Sequence, residues 1–117
     1  MEISSGGTAG PRLTDEVAVL DDNVYGSLPG TLSARSIAES LVGSGWRARA
    51  SSWTAFEVEQ EWIRIELQQQ PEAVLFSGVV EPSRLDDPAD TFARLGLSYS
   101  IELWNPEGTE PIRELRS

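Results

Sequence analysis

Two stretches of alternating apolar and polar residues, out of phase with each other, constrain this chain more than any other feature. Thr54, Phe56 and Val58 sit at even positions between Trp53, Ala55, Glu57 and Glu59, whereas Ile63, Ile65 and Leu67 sit at odd positions between Trp62, Arg64 and Glu66. Successive strand side chains point to opposite faces, so a period of two buries one side of a strand and solvates the other. One regular strand cannot change parity and keep the same side buried. Residues Glu59 to Glu61 therefore hold a tight turn, in preference to a bulge, with a strand on each side.

The rest of the chain is read around these strands. Met1 to Arg12 carries three Gly, two Ser and a Pro without apolar periodicity, which predicts a flexible tail over 1–12. Val17 to Leu20, stopped by Asp21, Asp22 and Asn23, suits a short strand or a docked extended segment. Pro29 and Gly30 mark a turn. Thr31 or Ser33 then caps a helix with Ala34, Ile37, Ala38 and Leu41 on one face, ending at Gly43 to Gly45.

Gln69 to Glu72 makes a turn around Pro71, and Ala73 to Val80 reads as a central strand apolar on both sides. Glu81 to Asp90, with two Pro and four acids, reads as a surface loop, and Asp90 or Thr91 starts a short helix through Phe92 and Leu95 to Gly96. In the next strand Leu97, Tyr99, Ile101 and Leu103 oppose Ser98, Ser100, Glu102 and Trp104. Asn105 to Gly108 turns the chain, and Ile112 and Leu115 allow a last short strand or helix. The expected fold is a single α+β domain over 13–117. One amphipathic helix packs on a mostly antiparallel sheet of four to five strands, with a short second helix.

Composition narrows the chemistry. The 117 residues include no His, no Cys and no Lys, which removes disulfides, the common zinc ligand sets and most activated nucleophiles. There is no phosphate-binding glycine loop and no nucleophile elbow, and Ser51 and Ser52 have no base to activate them. Asp86, Asp87 and Asp90 lack the spacing of a calcium loop, and turn-forming Asp beside Pro88 explains them without metal. A pair of carboxylates for hydrolysis can always be nominated among nineteen acids, so that pattern has little specificity. The expectation is a protein that is not an enzyme and needs no cofactor.

Nineteen acids against nine basic residues give a formal net charge of -10. Such a surface repels phosphate backbones and attracts basic proteins. The apolar runs fall far short of the roughly 20 residues that span a bilayer, and no basic and then apolar leader opens the chain. A soluble, cytoplasmic protein without nucleic-acid or membrane partners is expected. Strand parity then supplies a candidate surface. Trp53, Trp62 and Trp104 share the polar side of their strands with Glu57, Arg64, Glu66 and Glu102, and Glu59 joins the candidate partner-binding residues. Aromatic side chains ringed by charge are what protein interfaces concentrate. The competing reading puts these tryptophans in the core, covered by residues 13–28.

The helix of Ser33 to Val42, the Gly45–Trp46 step and the alternating strands up to Ile101–Trp104 resemble small immunity-type proteins that accompany bacterial toxins. That resemblance implies a small, acidic, non-catalytic inhibitor that blocks a toxin by occupying its active site or an adjoining surface, and the charge makes that partner a basic one. The rival among binding proteins is a dimeric secretion or assembly chaperone holding an extended client. A carboxylate-based enzyme or small-molecule binder is the rival from another class.

Overall fold

The computed structural model describes residues 3–117. The phase change at Glu59 to Glu61 resolves as a hairpin. Strands β3 (Ala55–Gln60) and β4 (Ile63–Gln69), numbered in chain order, pair antiparallel from Gln60 opposite Ile63 to Ala55 opposite Gln68, so only Glu61 and Trp62 form the loop. Before them lie α1 (Asp15–Ala18), β1 (Val24–Pro29), α2 (Ala34–Gly43) and β2 (Arg47–Ala50). After them come β5 (Ala73–Val80), a 3-10 turn (Pro82–Arg84), α3 (Asp86–Arg94), β6 (Ser100–Trp104) and β7 (Pro111–Arg116). The strands form one antiparallel sheet in the order β2-β3-β4-β5-β1-β6-β7, with β5 at its centre.

One face of the sheet carries the core. Phe56, Val58, Ile63, Ile65, Leu67, Val74, Phe76, Val80, Val24, Leu28, Ile101 and Leu103 are buried there against α2 and α3. Helix α2 matches its sequence pattern: Ser33 Oγ accepts a hydrogen bond from the Ser36 N–H at 3.1 Å, and Ala34, Ile37, Ala38 and Leu41 are buried. Their spacing of three and four residues places them on one helical face. Phe92 of α3 lies between Phe76 and Tyr99, with ring centroids 5.8 and 6.2 Å away.

Four expectations are corrected. The sheet has seven strands rather than four to five, because β1 and β2 are strands that periodicity did not mark. Val17 and Ala18 belong to helix α1, not to a strand: Ala18 N–H donates to the Thr14 carbonyl, and Asp15 and Glu16 favour the positive end of the first turn. The stretch expected as a loop holds the 3-10 turn and the start of α3 at Asp86. Pro88 is tolerated because it stands in the first helical turn, where backbone N–H groups have no intrahelical partner. Finally, residues 3–8 run along β2 instead of standing off as a tail. Ile3 is buried, Ala50 N–H donates to the Ser4 carbonyl, and Thr8 exchanges hydrogen bonds with the Ala48 backbone.

No helix among the described residues is long and apolar enough to cross a membrane.

Candidate functional site

Among the described residues, the opposite face of the sheet is covered at one end only. Residues 7–18 cross it there: Gly7 and Gly10 lie against Arg47, the Leu13 N–H donates to Glu59 Oε2 at 3.1 Å, and the Thr14 N–H donates to the Glu61 carbonyl. Helix α1 then rests on β5, where Val17 and Val79 are both buried. Asn23 returns the chain to the sheet, donating from Nδ2 to the Val80 carbonyl and accepting the Val80 N–H, both at 2.9 Å.

Beyond this strap the face is open, and strand register lines its residues up. Arg49, Glu57, Glu66, Ser77, Tyr25, Glu102 and Glu114 are successive cross-strand partners from one edge of the sheet to the other. A parallel row runs through Ala55, Gln68, Leu75, Ser27, Ser100 and Arg116. Three adjoining hollows follow these rows. The middle one, about 280 Å³, is lined by Tyr25, Glu66, Gln68, Leu75 and Ser77. It shares Glu66 and Gln68 with a hollow of about 350 Å³ beside Ser51 and Ser52, and Tyr25 with one of about 270 Å³ beside Glu102 and Trp104. Together they make a shallow groove across the strands.

The seven residues nominated from sequence are divided by the fold. Glu57, Glu66 and Glu102 fall in the open row, and Trp104 flanks it with its ring edge on Tyr25 at 6.3 Å. The Trp104 indole N–H is buried and has no acceptor among the described residues. Glu59 shares the face but lies under the strap, paired with Arg47 at 3.5 Å and nearly buried. Trp53 stands fully exposed in the β2–β3 loop. Trp62, in the hairpin loop, packs edge-on against buried Trp46 at 5.6 Å and under the Arg84 guanidinium at 5.0 Å. It belongs to the helical side of the sheet, because a loop residue is not bound by strand parity.

The electrostatics of the row are uneven. Arg49 Nε donates to Glu57 Oε1 at 3.0 Å, and this hydrogen bond, with the Glu57 charge, raises the Arg49 pKa above its usual value. Glu66 accepts from Ser51 Oγ at 3.0 Å and from Gln68 Nε2 at 2.7 Å. Tyr25, Leu75, Ser77 and Gln68 were missed as site residues. Tyr25 lies on a strand that periodicity did not reveal, and Leu75 was read as buried on a two-sided apolar strand but is 44% exposed.

A separate cleft of about 600 Å³ lies between the end of α2, the hairpin loop and α3, lined by Trp46, Trp62, Arg84, Asp87, Asp90 and Arg94 among others. Of the acids considered for a cation, Asp86 pairs with Arg113 at 3.0 Å and Asp87 pairs with Arg84. Those oxygens serve ion pairs that tie α3 to β7 and to the 3-10 turn. Comparison with protein-family models, curated proteins and solved structures returns no match.

Proposed function

We propose that this chain is a non-catalytic protein-binding module, of the immunity or inhibitor type, that takes an extended basic segment of a partner protein across its open sheet face. The observation that carries this reading is the row of Glu57, Glu66, Glu102 and Glu114, interrupted by Ser77 and Tyr25, with cations at its two ends, Arg49 on Glu57 and Arg116 on Glu114, and none beside Glu66 or Glu102 among the described residues. Arginine or lysine side chains of a partner meet the carboxylates, while Tyr25, Leu75 and Trp104 offer apolar area to the residues between. The net charge of -10 steers such a partner from a distance. A second reading, a dimeric chaperone for a secreted or assembling client, is favoured by one feature: among the described residues, β7 leaves a sheet edge unpaired.

The test is calorimetric titration with a peptide of alternating Arg and Leu and, as control, one of alternating Glu and Leu. Binding is expected for the basic peptide alone, weakening about tenfold between about 20 and 300 mM NaCl as the charges are screened. The double variant Glu66→Gln/Glu102→Gln should bind about tenfold more weakly with no loss of Tm. Glu39→Gln/Asp90→Asn, which removes two acids from the helical layer, should bind as before. Equal loss in both double variants would reduce the effect to bulk charge and remove the open face from the proposal.

A further inference from the structure

The two edges of the sheet are treated differently. On β2 the outward backbone groups of Ala48 and Ala50 are taken by Ser4 and Thr8, so that edge is closed. On β7 the described residues leave the outer edge bare, and Ile112 to Glu114 are exposed. The register shows which backbone groups face outward. Ser117 N–H donates to the Tyr99 carbonyl, while Leu115 stands opposite Ile101 and Arg113 opposite Leu103. Hydrogen-bonded pairs alternate along an antiparallel ladder, so Arg113, Leu115 and Ser117 turn toward β6. Glu114 and Arg116 turn their N–H and C=O groups outward, while Ile112 is the extra residue of a bulge, since Leu103 opposes Arg113 but Trp104 opposes Pro111, and lies outside the regular ladder.

We infer that the β7 edge binds a second copy of this chain, antiparallel, with Glu114 of each copy opposite Arg116 of the other and the two Leu115 side chains meeting on the two-fold axis. Outward-facing groups must pair with outward-facing groups, which leaves three registers. One sets Glu114 against Glu114 and another sets Arg116 against Arg116, both like-charge pairs that oppose association. The third sets only opposite charges face to face, makes four backbone hydrogen bonds from Glu114 and Arg116, and keeps Pro111 outside the paired segment. Leu115 already packs against the core, so its contact across the axis joins the two cores. Within one chain Arg116 reaches Glu114 only at 3.8 Å, and pairing exchanges that contact for two across the axis. Because the β2 edge is closed, the assembly stops at a dimer and does not grow into a filament. The open row of one copy then runs on through Glu114 into the Arg116, Ser100 and Ser27 row of the other.

Glu114 belongs to both the open row and the edge, but peptide binding is tested at Glu66 and Glu102 and dimerisation at Glu114 and Arg116, so the failure of one is distinguishable from the failure of the other. Sedimentation equilibrium on the whole chain over a wide concentration range should show a monomer–dimer equilibrium. Glu114→Arg and Arg116→Glu each place like charges across the axis and should weaken the dimer about tenfold, whereas the double exchange E114R/R116E should restore it to near the original constant. Glu114 stands opposite Glu102 within the sheet, so Glu114→Arg relieves a like-charge pair there and leaves the fold intact. Glu114→Pro removes an outward N–H that no ladder bond uses, and should also give monomers. A chain that stays monomeric throughout, a dimer indifferent to both single exchanges, or a double exchange no better than either single one overturns the inference.

Discussion

Gly78 and Gly26 occupy strand positions where neighbouring backbone leaves no space for a side chain. A Cβ on Gly78 would overlap the Arg64 carbonyl oxygen, and one on Gly26 would overlap the Ser100 carbonyl and the Phe76 ring. Backbone cannot move aside as the far end of a flexible side chain can, so Gly78→Ala should cost about 3 kcal/mol, at the upper end of overpacking effects, read as a lower urea midpoint. A loss under about 0.5 kcal/mol would show that β4 and β5 are less closely apposed than this register implies. The tryptophans separate as sharply. Trp62→Ala removes the contacts with Trp46 and Arg84 and should cost about 2–3 kcal/mol, less than a fully buried aromatic because Trp62 is only partly covered. Trp53→Ala removes a fully exposed ring and should change stability by less than about 0.5 kcal/mol. Parity alone grouped these two residues on one face; the structure shows that both are in loops, where parity has no hold.

At the scale of elements, what was legible in the sequence is what local periodicity controls. Helix α2 with its Ser33 cap, the β3–β4 hairpin and the turn around Pro71 follow from residue spacing and turn chemistry. Strand β1 was not legible, because Val24–Pro29 contains Gly and Pro and owes its conformation to pairing with β5 and β6 on its two sides. Strand β2 has four residues, too few for an alternation to register. In the open row, Glu57, Glu66 and Glu102 could be found from parity, but their alignment depends on a strand order that no short-range pattern encodes. The N-terminal segment is a further case: its Gly and Ser content suggested a tail, and only the β2 edge gives it partners. Ile3 is 2% exposed, so Ile3→Ala should cost about 2–4 kcal/mol in a urea transition despite its position near the chain end. A neutral result would place these residues off the edge and leave β2 open.

For the whole molecule, the charge is strongly one-sided, with nineteen acids against nine arginines. Five arginines have an acidic partner within 4 Å among the described residues, which leaves most of the nineteen acids without a cation. The open face sharpens the imbalance, because Glu57 is directly opposite Glu66 and Glu102 opposite Glu114, and like charges directly opposite destabilise a sheet. The ion pairs at the surface contribute little in return, each about 0–1 kcal/mol before screening. Raising NaCl from about 10 to 500 mM shortens the screening length from about 30 Å to under about 5 Å, so repulsion should weaken more than attraction and Tm should rise by several degrees. Glu66→Gln should raise Tm at low salt and shrink the rise that salt produces, since it removes one member of the row. If Tm instead fell with salt, the paired charges would outweigh the repelling ones, and the acid row would not be a strained surface that a basic partner relaxes. The expected sign links stability to binding: the same carboxylates that cost the free protein stability gain most when a cationic segment lies between them, so a bound basic peptide should raise Tm most at low salt.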